Sequence, residues 1–175
     1  MSLGLYLHIP YCFSKCRYCD FYSHPGERGV PEAYVDALLR ELSRFAPEAP
    51  LQPDTLYFGG GTPSLLCPEQ AKRLIDAARP MPGAEITLEA NPETVTEESL
   101  AGFREAGVNR ISFGVQSARD TQLRTLGRPH TAKQARAAFA AARRAGFANI
   151  SGDIMLALPH YTEAEFDETL ELIEG

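Results

Sequence analysis

The sequence predicts an α/β fold built on a parallel sheet. Strand-like stretches alternate with amphipathic helical patterns along the chain, and strands that are separated by helices are joined by crossovers that make them parallel. The chain has 175 residues, 44% of them apolar, which is the size and composition of one ordinary globular domain. A domain of this length buries roughly two thirds of the surface of its unfolded chain, so its core needs no disulfides.

Five strands and five helices account for the alternation. The predicted strands span residues 3–9, 55–58, 85–90, 110–115 and 150–156, and the predicted helices span 31–46, 68–78, 96–106, 132–145 and 163–174. Residues at the helix ends support these limits. Pro68 suits a first helical position, Thr131-x-x-Gln134 and Thr162-x-x-Glu165 are capping boxes, and Gly107 and Gly146 can end helices.

Charge and hydropathy exclude several classes of partner. The chain carries 17 Lys and Arg against 23 Asp and Glu, a formal charge of −6, whereas binding to nucleic acid needs clustered positive charge. No stretch approaches the roughly 20 apolar residues of a membrane span, and the first residues lack the basic segment of a signal peptide. We therefore expect a cytoplasmic protein with no nucleic-acid partner and no transmembrane segment, which leaves peripheral membrane association open.

Three of the four cysteines form the most informative motif. Cys12, Cys16 and Cys19 have the spacing C-x3-C-x2-C just after the first predicted strand, and such clustering in a reducing compartment indicates metal binding. A closed zinc site uses four ligands, and a conventional four-iron cluster uses four thiolates. Three thiolates leave one position open, and an open iron can bind a small molecule through its amino and carboxylate groups.

A zinc knot is the alternative interpretation of this motif. It would need His8, His24 or Cys67 as the fourth ligand. Cys67 stands apart, directly before Pro68 at a predicted helix start. There we expect an incidental small residue with a somewhat favoured thiolate.

The cysteine spacing resembles that of the radical S-adenosylmethionine (SAM) superfamily. The wider string from His8-Ile-Pro-x-Cys12 through Tyr18-Cys19, followed by Gly59-Gly-Gly-Thr-Pro-Ser64, is similar to one branch of it. That branch contains the oxygen-independent coproporphyrinogen III oxidases and the HemW heme chaperones. Further matching blocks span residues 85–92, 112–117 and 153–159, so the resemblance covers nearly the whole chain.

The resemblance implies a TIM-like barrel of six βα units and a further C-terminal domain. Five such units are visible in this sequence. We therefore expect residues 1–175 to form a partial barrel, a radical SAM core domain that is truncated before its sixth βα unit.

The resemblance also implies two cofactors, a [4Fe-4S] cluster on the three cysteines and SAM at the carboxyl ends of the strands. It assigns the SAM amino group to Gly60, Gly61 and Thr62, and the ribose hydroxyls to Glu89. It assigns the methionine carboxylate to Arg128, whose planar guanidinium suits such a partner. The predicted cofactor contacts are completed by Tyr6 and Tyr18, near the adenine or the cluster, and by Gln116 and Asp153.

Without the family, the same residue types favour plainer roles. Glu89 is typical of a solvated strand edge, and Gln116, Arg128 and Asp153 are typical of turns and surfaces. Core packing also explains the residue type of Tyr6 and Tyr18. The glycine triplet is weak by itself, since no Gly-Lys-Ser/Thr follows it as a phosphate-binding loop requires.

Phe21 indicates which function within the branch the chain has. In the oxidases the third cysteine is followed by one residue and then a fourth cysteine, whereas this chain has Cys19-Asp20-Phe21, as in the HemW type. The resemblance thus implies a heme chaperone, with heme or a porphyrin as cargo, heme-accepting proteins as partners, and an electron donor if radical chemistry occurs.

The residue that binds heme stays open among the four histidines, His8, His24, His130 and His160. Two other functions also stay open at this point. One is an oxidase that forms a deoxyadenosyl radical and decarboxylates porphyrinogen propionates. The other is a zinc module without catalysis.

Overall fold

A five-stranded parallel sheet forms the centre of the computed structural model, which describes residues 2–45, 51–158 and 161–174. Its strands are β1 (Gly4–Ile9), β2 (Thr55–Gly60), β3 (Glu85–Ala90), β4 (Arg110–Gln116) and β5 (Asn149–Ile154). Their order in the sheet is their order in the sequence, and all four pairings are parallel. The predicted α/β fold with a parallel sheet is confirmed.

In the described parts of the chain, six α-helices connect the strands and follow the last one. They are α1 (Glu32–Phe45), α2 (Pro68–Ala78), α3 (Glu97–Ala106), α4 (Asp120–Leu126), α5 (Ala132–Arg144) and α6 (Glu163–Glu174). In the loop after β1, the two-residue strands Tyr11–Cys12 and His24–Pro25 pair in parallel. None of the described helices is both long and apolar enough to cross a membrane.

Local sequence signals set the helix ends. The hydroxyl of Thr131 accepts from the backbone N–H of Gln134, while the Gln134 side chain accepts from the backbone N–H of Thr131 at 2.8 Å. This is the predicted capping box, which satisfies two backbone donors at once. Gly107 ends α3 with a φ of 113°, a left-handed conformation that glycine adopts without strain.

The two faces of the sheet differ in polarity. On one face, Phe58 of β2, Leu88 of β3 and Phe113 of β4 are completely buried, in one cluster with apolar side chains of the helices. Residues two apart in a strand share a face, so their neighbours in sequence form the other face. That face is polar and carries the side chains Tyr6, His8, Tyr57, Thr87, Glu89, Arg110, Ser112, Ser151 and Asp153.

Several predicted element limits were wrong. β2 continues to Gly60, which pairs with Ile9, so only Gly61 of the glycine triplet follows the strand. β5 ends at Ile154, two residues before the predicted end. The last residue of the first predicted helix, at position 46, lies outside the described residues.

Helix α4 was not predicted. It has seven residues and only two buried positions, Leu123 and Leu126, too few to show a helical period in the sequence. It ends at Gly127, with a φ of 74°. The next residue, Arg128, is 9% exposed and donates to the carbonyl of Gly114 in β4.

Candidate functional site

A cavity of about 160 Å³ lies at the carboxyl ends of the strands. Every predicted site residue except Tyr6 lines it, namely Cys12, Cys16, Tyr18, Cys19, Gly60, Gly61, Thr62, Glu89, Gln116, Arg128 and Asp153. Pockets for small-molecule ligands usually enclose about 300–1,000 Å³. A ligand of nucleoside size therefore also has to occupy the open polar face of the sheet beyond the enclosed part.

The three clustered cysteines frame one side of the cavity. Cys12 is buried in the short strand after β1, and the hydroxyl of Thr62 donates to its Sγ at 3.6 Å. A tight turn, in which the backbone N–H of Cys19 donates to the carbonyl of Cys16 at 3.2 Å, places the other two. Within the described ranges, no three His, Cys, Asp or Glu side chains converge closely enough for a single metal ion.

The alternative fourth ligands for zinc do not line the cavity. Cys67 is exposed at the N-terminus of α2, as expected from its position before Pro68. Both ring nitrogens of His8 already have partners, the hydroxyl of Tyr6 and the carbonyl of Tyr22, each at 3.1 Å. The ring of His24 lies against that of Tyr22, with 5.2 Å between the ring centres.

Close packing explains the glycines at the end of β2. A Cβ on Gly60 would lie 2.7 Å from the imidazole of His8, and a Cβ on Gly61 would lie 2.7 Å from the carbonyl of Tyr11 and 2.9 Å from Sγ of Cys12. Real Cβ atoms do not come so close to backbone. Gly61 therefore lets the cysteine loop pack directly against the end of β2.

Arg128 connects the cysteine loop to the sheet. Its Nη1 donates to Sγ of Cys16 at 3.3 Å, and its Nη2 donates to Oδ1 of Asn91 at 2.6 Å and to the carbonyl of Gly114. Asn91 in turn donates to the hydroxyl of Thr62 at 3.0 Å. The loops after β2, β3 and α4 thus share one hydrogen-bonded chain that reaches two cysteines.

Glu89 is held as an acceptor at the edge of the cavity. It accepts from the hydroxyl of Tyr57 at 2.8 Å and from the backbone N–H of Gly60 at 3.2 Å. Burial raises the pKa of Glu89, and these two hydrogen bonds act in the opposite direction. Burial and the hydrogen bond to Glu89 also raise the pKa of Tyr57, which therefore remains a donor near neutral pH.

The two predicted tyrosines differ in position. Tyr18 lines the cavity, and burial raises its pKa to about 12. Tyr6 is 53% exposed, lies with its ring stacked on Tyr57 at 6.0 Å, and is outside the cavity. The alternative of core packing for Tyr6 was therefore wrong, and its contact with a cofactor stays a prediction.

Asp153 and Gln116 close the far side of the cavity. A carboxylate oxygen of Asp153 accepts from the hydroxyl of Ser112 at 3.5 Å, and Ser112 accepts from Ser151 at 3.0 Å. Gln116 has a φ of 67° at an irregularity in the pairing of β4 with β5. A non-glycine residue in this conformation costs about 1–3 kcal/mol and is frequent at functional sites.

Sequence reasoning missed Asn91, Tyr57 and Ser112. Each had a usable signal. Asn91 directly follows β3, where side chains gather around ligands, and Tyr57 and Ser112 alternate with the buried residues Phe58 and Phe113. The alternation alone places both on the polar face.

A buried pair, His130 and Glu93, lies close to the loops that carry Arg128 and Asn91. His130 is completely buried, and its Nε2 lies 3.1 Å from the carbonyl of Val115. Its Nδ1 lies 3.2 Å from Oε2 of Glu93, in an orientation that makes no well-aligned hydrogen bond. Because Glu93 is two residues after Asn91 and His130 is two after Arg128, the pair fixes the loops that carry both.

Comparison with known proteins agrees with this architecture. The model of the radical SAM superfamily matches residues 6–173, so the chain belongs to that superfamily. The heme chaperone HemW of Haemophilus influenzae is 39% identical, over 98% of this chain and 48% of its own length. The heme chaperone HemW of Escherichia coli K12 is 43% identical, over 90% of this chain and 43% of its own length.

A solved structure shows the same fold. The coproporphyrinogen III oxidase HemN of Escherichia coli superimposes with a TM-score of 0.86 at 31% identity, over 97% of this chain and 41% of that one. The predicted resemblance to the branch of HemW and the oxidases is thereby confirmed. This chain spans about half the length of the curated relatives it matches.

Removing Glu93 should destabilise the fold. Glu93→Ala removes the polar group 3.2 Å from Nδ1 of the buried His130, and leaving a buried polar group without any partner costs about 1–3 kcal/mol. The matched control is Glu97→Ala, since Glu97 pairs with Arg144 at 2.8 Å in an exposed position, where an ion pair contributes about 0–1 kcal/mol. Denaturant unfolding measures both, and equal losses in the two variants would contradict the bracing role.

Proposed function

We propose that the chain is the radical SAM core of a HemW-like heme chaperone, with a [4Fe-4S] cluster on Cys12, Cys16 and Cys19. One observation carries this proposal. The three thiols line the same cavity as the polar residues at the carboxyl ends of the strands. The donor set fits the group, because a four-iron cluster accepts thiolates. The identity to HemW chaperones over most of the chain supports the same assignment.

SAM binds beside the cluster in this proposal, and the two together supply one-electron chemistry. Gly60, Gly61 and Thr62 offer backbone groups to its amino end, and Glu89 accepts from its ribose hydroxyls. Arg128 lines the cavity, and its positively charged guanidinium suits the methionine carboxylate. Tyr18, Gln116 and Asp153 enclose the remainder.

Heme is the cargo in the proposed function. Phe21 supports this choice over oxidase activity, since it stands where the oxidases have a fourth cysteine, and it is 70% exposed at the edge of the cavity. Heme-accepting proteins are the proposed partners, and we place the protein in the cytoplasm. An electron donor is required if the radical chemistry is used.

The structure narrows the choice of heme-binding histidine. The side chain of His130 is completely buried, and both ring nitrogens of His8 have hydrogen-bond partners, so neither histidine is free to bind heme iron. His24 is exposed, and His160 lies outside the described residues. We therefore expect that the ligand of the heme iron is His24, His160 or a residue of a full-length protein outside this chain.

The second candidate function is porphyrinogen oxidation. HemN, a coproporphyrinogen III oxidase, has a very similar fold, with a TM-score of 0.86, but the higher identity to the HemW chaperones favours the chaperone. A shared fold can carry either activity. An assay for protoporphyrinogen distinguishes the chaperone from the oxidase.

Each of the variants Cys12→Ala, Cys16→Ala and Cys19→Ala should lose the cluster, whereas Cys67→Ala should keep it. Three thiolates leave no spare ligand, and Cys67 is exposed on α2, away from the cavity. Iron and sulfide analysis after anaerobic reconstitution measures the result. A colourless wild-type protein that binds zinc would instead support the zinc module.

Glu89→Ala should weaken SAM binding by roughly 10- to 150-fold while the cluster stays, because a hydrogen bond to a charged group contributes about 1.5–3 kcal/mol. Since burial raises the pKa of Glu89, the wild-type protein should lose affinity on acidification at a higher pH than an exposed glutamate would allow. Glu89→Gln should abolish that pH dependence. Calorimetry at several pH values tests both, and an unchanged dissociation constant in Glu89→Ala would contradict the contact between Glu89 and SAM.

The proposed function is tested on a full-length HemW-like protein that contains this core. It should bind heme and transfer it to an acceptor, and it should form no protoporphyrinogen even with cluster, SAM and reductant present. Phe21→Cys alone should not create decarboxylation, which also needs a substrate pocket of reactive geometry. Protoporphyrinogen formed by the wild-type protein under anaerobic conditions would favour the oxidase.

A further inference from the structure

Arg128 has a contact that binding of SAM does not explain. Its Nη1 donates to Sγ of Cys16 at 3.3 Å, on the side of the cavity where the cluster is proposed. The orientation of the guanidinium is fixed by the chain itself, because Nη2 donates to Asn91 at 2.6 Å and to the carbonyl of Gly114. Only 9% of the residue is exposed. The contact between Arg128 and the sulfur of Cys16 therefore follows from the packing of this chain.

The three cysteines differ in their hydrogen-bond donors. Cys12 receives a neutral hydroxyl donor, Thr62, at 3.6 Å. The neighbouring cations Lys15 and Arg17 donate to backbone carbonyls, those of Phe21 and Thr125. Among the described residues, Arg128 is the one charged side chain that donates to a cysteine sulfur.

We infer that Arg128 tunes the reduction potential of the cluster through its hydrogen bond to Cys16. This inference rests on the proposed cluster. Hydrogen bonds to the ligating sulfurs are among the factors that set the potential of iron–sulfur clusters. Reduction adds a negative charge to the cluster, and a buried guanidinium on one thiolate stabilises that charge. Arg128 therefore makes the cluster easier to reduce.

This role makes Arg128 a positioning and electrostatic residue as well as a candidate SAM contact. Its Nη groups face the cysteine, Asn91 and the carbonyl of Gly114, while the buried Nε is without a hydrogen-bond partner in the described ranges. The guanidinium thus has two proposed functions, the contact with Cys16 and the contact with SAM. They can be separated by measuring the potential without SAM.

The test is a redox titration of the reconstituted protein in the absence of SAM, followed by electron paramagnetic resonance of the reduced cluster. Arg128→Gln should lower the potential by an amount equivalent to about tenfold in the reduction equilibrium, which is about 59 mV for one electron. Arg128→Lys keeps the charge without the fork of donors and should fall between Arg128→Gln and wild type.

The matched control is Arg124→Gln. Arg124 lies on the exposed side of α4, so this variant removes the same charge from the same segment without a contact to cysteine. Its potential should equal that of the wild type. A shift as large as that of Arg128→Gln would show a general effect of charge and would overturn the inference.

A further variant covers the case in which Arg128→Gln assembles no cluster. Asn91→Ala keeps the guanidinium but removes the partner that holds its Nη2, and it should lower the potential in the same direction by less. If the potential of Arg128→Gln equals that of the wild type, the inference is overturned while the proposed function stands. If Arg128→Gln assembles no cluster, a wild-type potential in Asn91→Ala has the same meaning. A wild-type protein that assembles no cluster overturns the proposed function as well.

Discussion

The alternation of apolar and polar residues along parallel strands is the constraint on which the rest of this structure depends. Phe58, Leu88 and Phe113 are fully buried against the helices, and burying such a side chain contributes about 1.5–3 kcal/mol. A slip of one residue would turn these side chains to the polar face and turn Glu89 or Ser112 into the apolar core, so the register is strongly specified. The apolar face thereby dictates which residues are left for the polar one.

Parallel pairing then brings the strand ends to one edge. The cysteine loop follows β1, the glycines end β2, Asn91 follows β3, and Gln116 ends β4. These positions are far apart in sequence but surround one cavity. The site is a consequence of topology, and its chemistry comes from the few polar residues placed there.

The strand and helix pattern and most of the site residues could be predicted from the sequence. The alternation of elements, the capping boxes and the cysteine spacing are local signals, and all correspond to observed features. Arg128 was expected near the cavity by family position, but its bonds to Cys16 and Asn91 were not, because they depend on the turn at Gly127 after a helix too short to predict. The buried pair of His130 and Glu93 was missed for a related reason, since its members are 37 positions apart in the numbering and meet only through tertiary packing.

We propose that three thiolates hold a four-iron cluster whose remaining iron is open to SAM. Electron–nuclear double resonance on the reduced, reconstituted protein tests it directly, with SAM labelled by ¹⁵N in its amino group and by ¹⁷O in its carboxylate. Both labels should show hyperfine coupling to the cluster. Absence of coupling from either label, together with a protein-derived nitrogen coupled to the cluster, would contradict the open iron site, because a histidine would then fill that position.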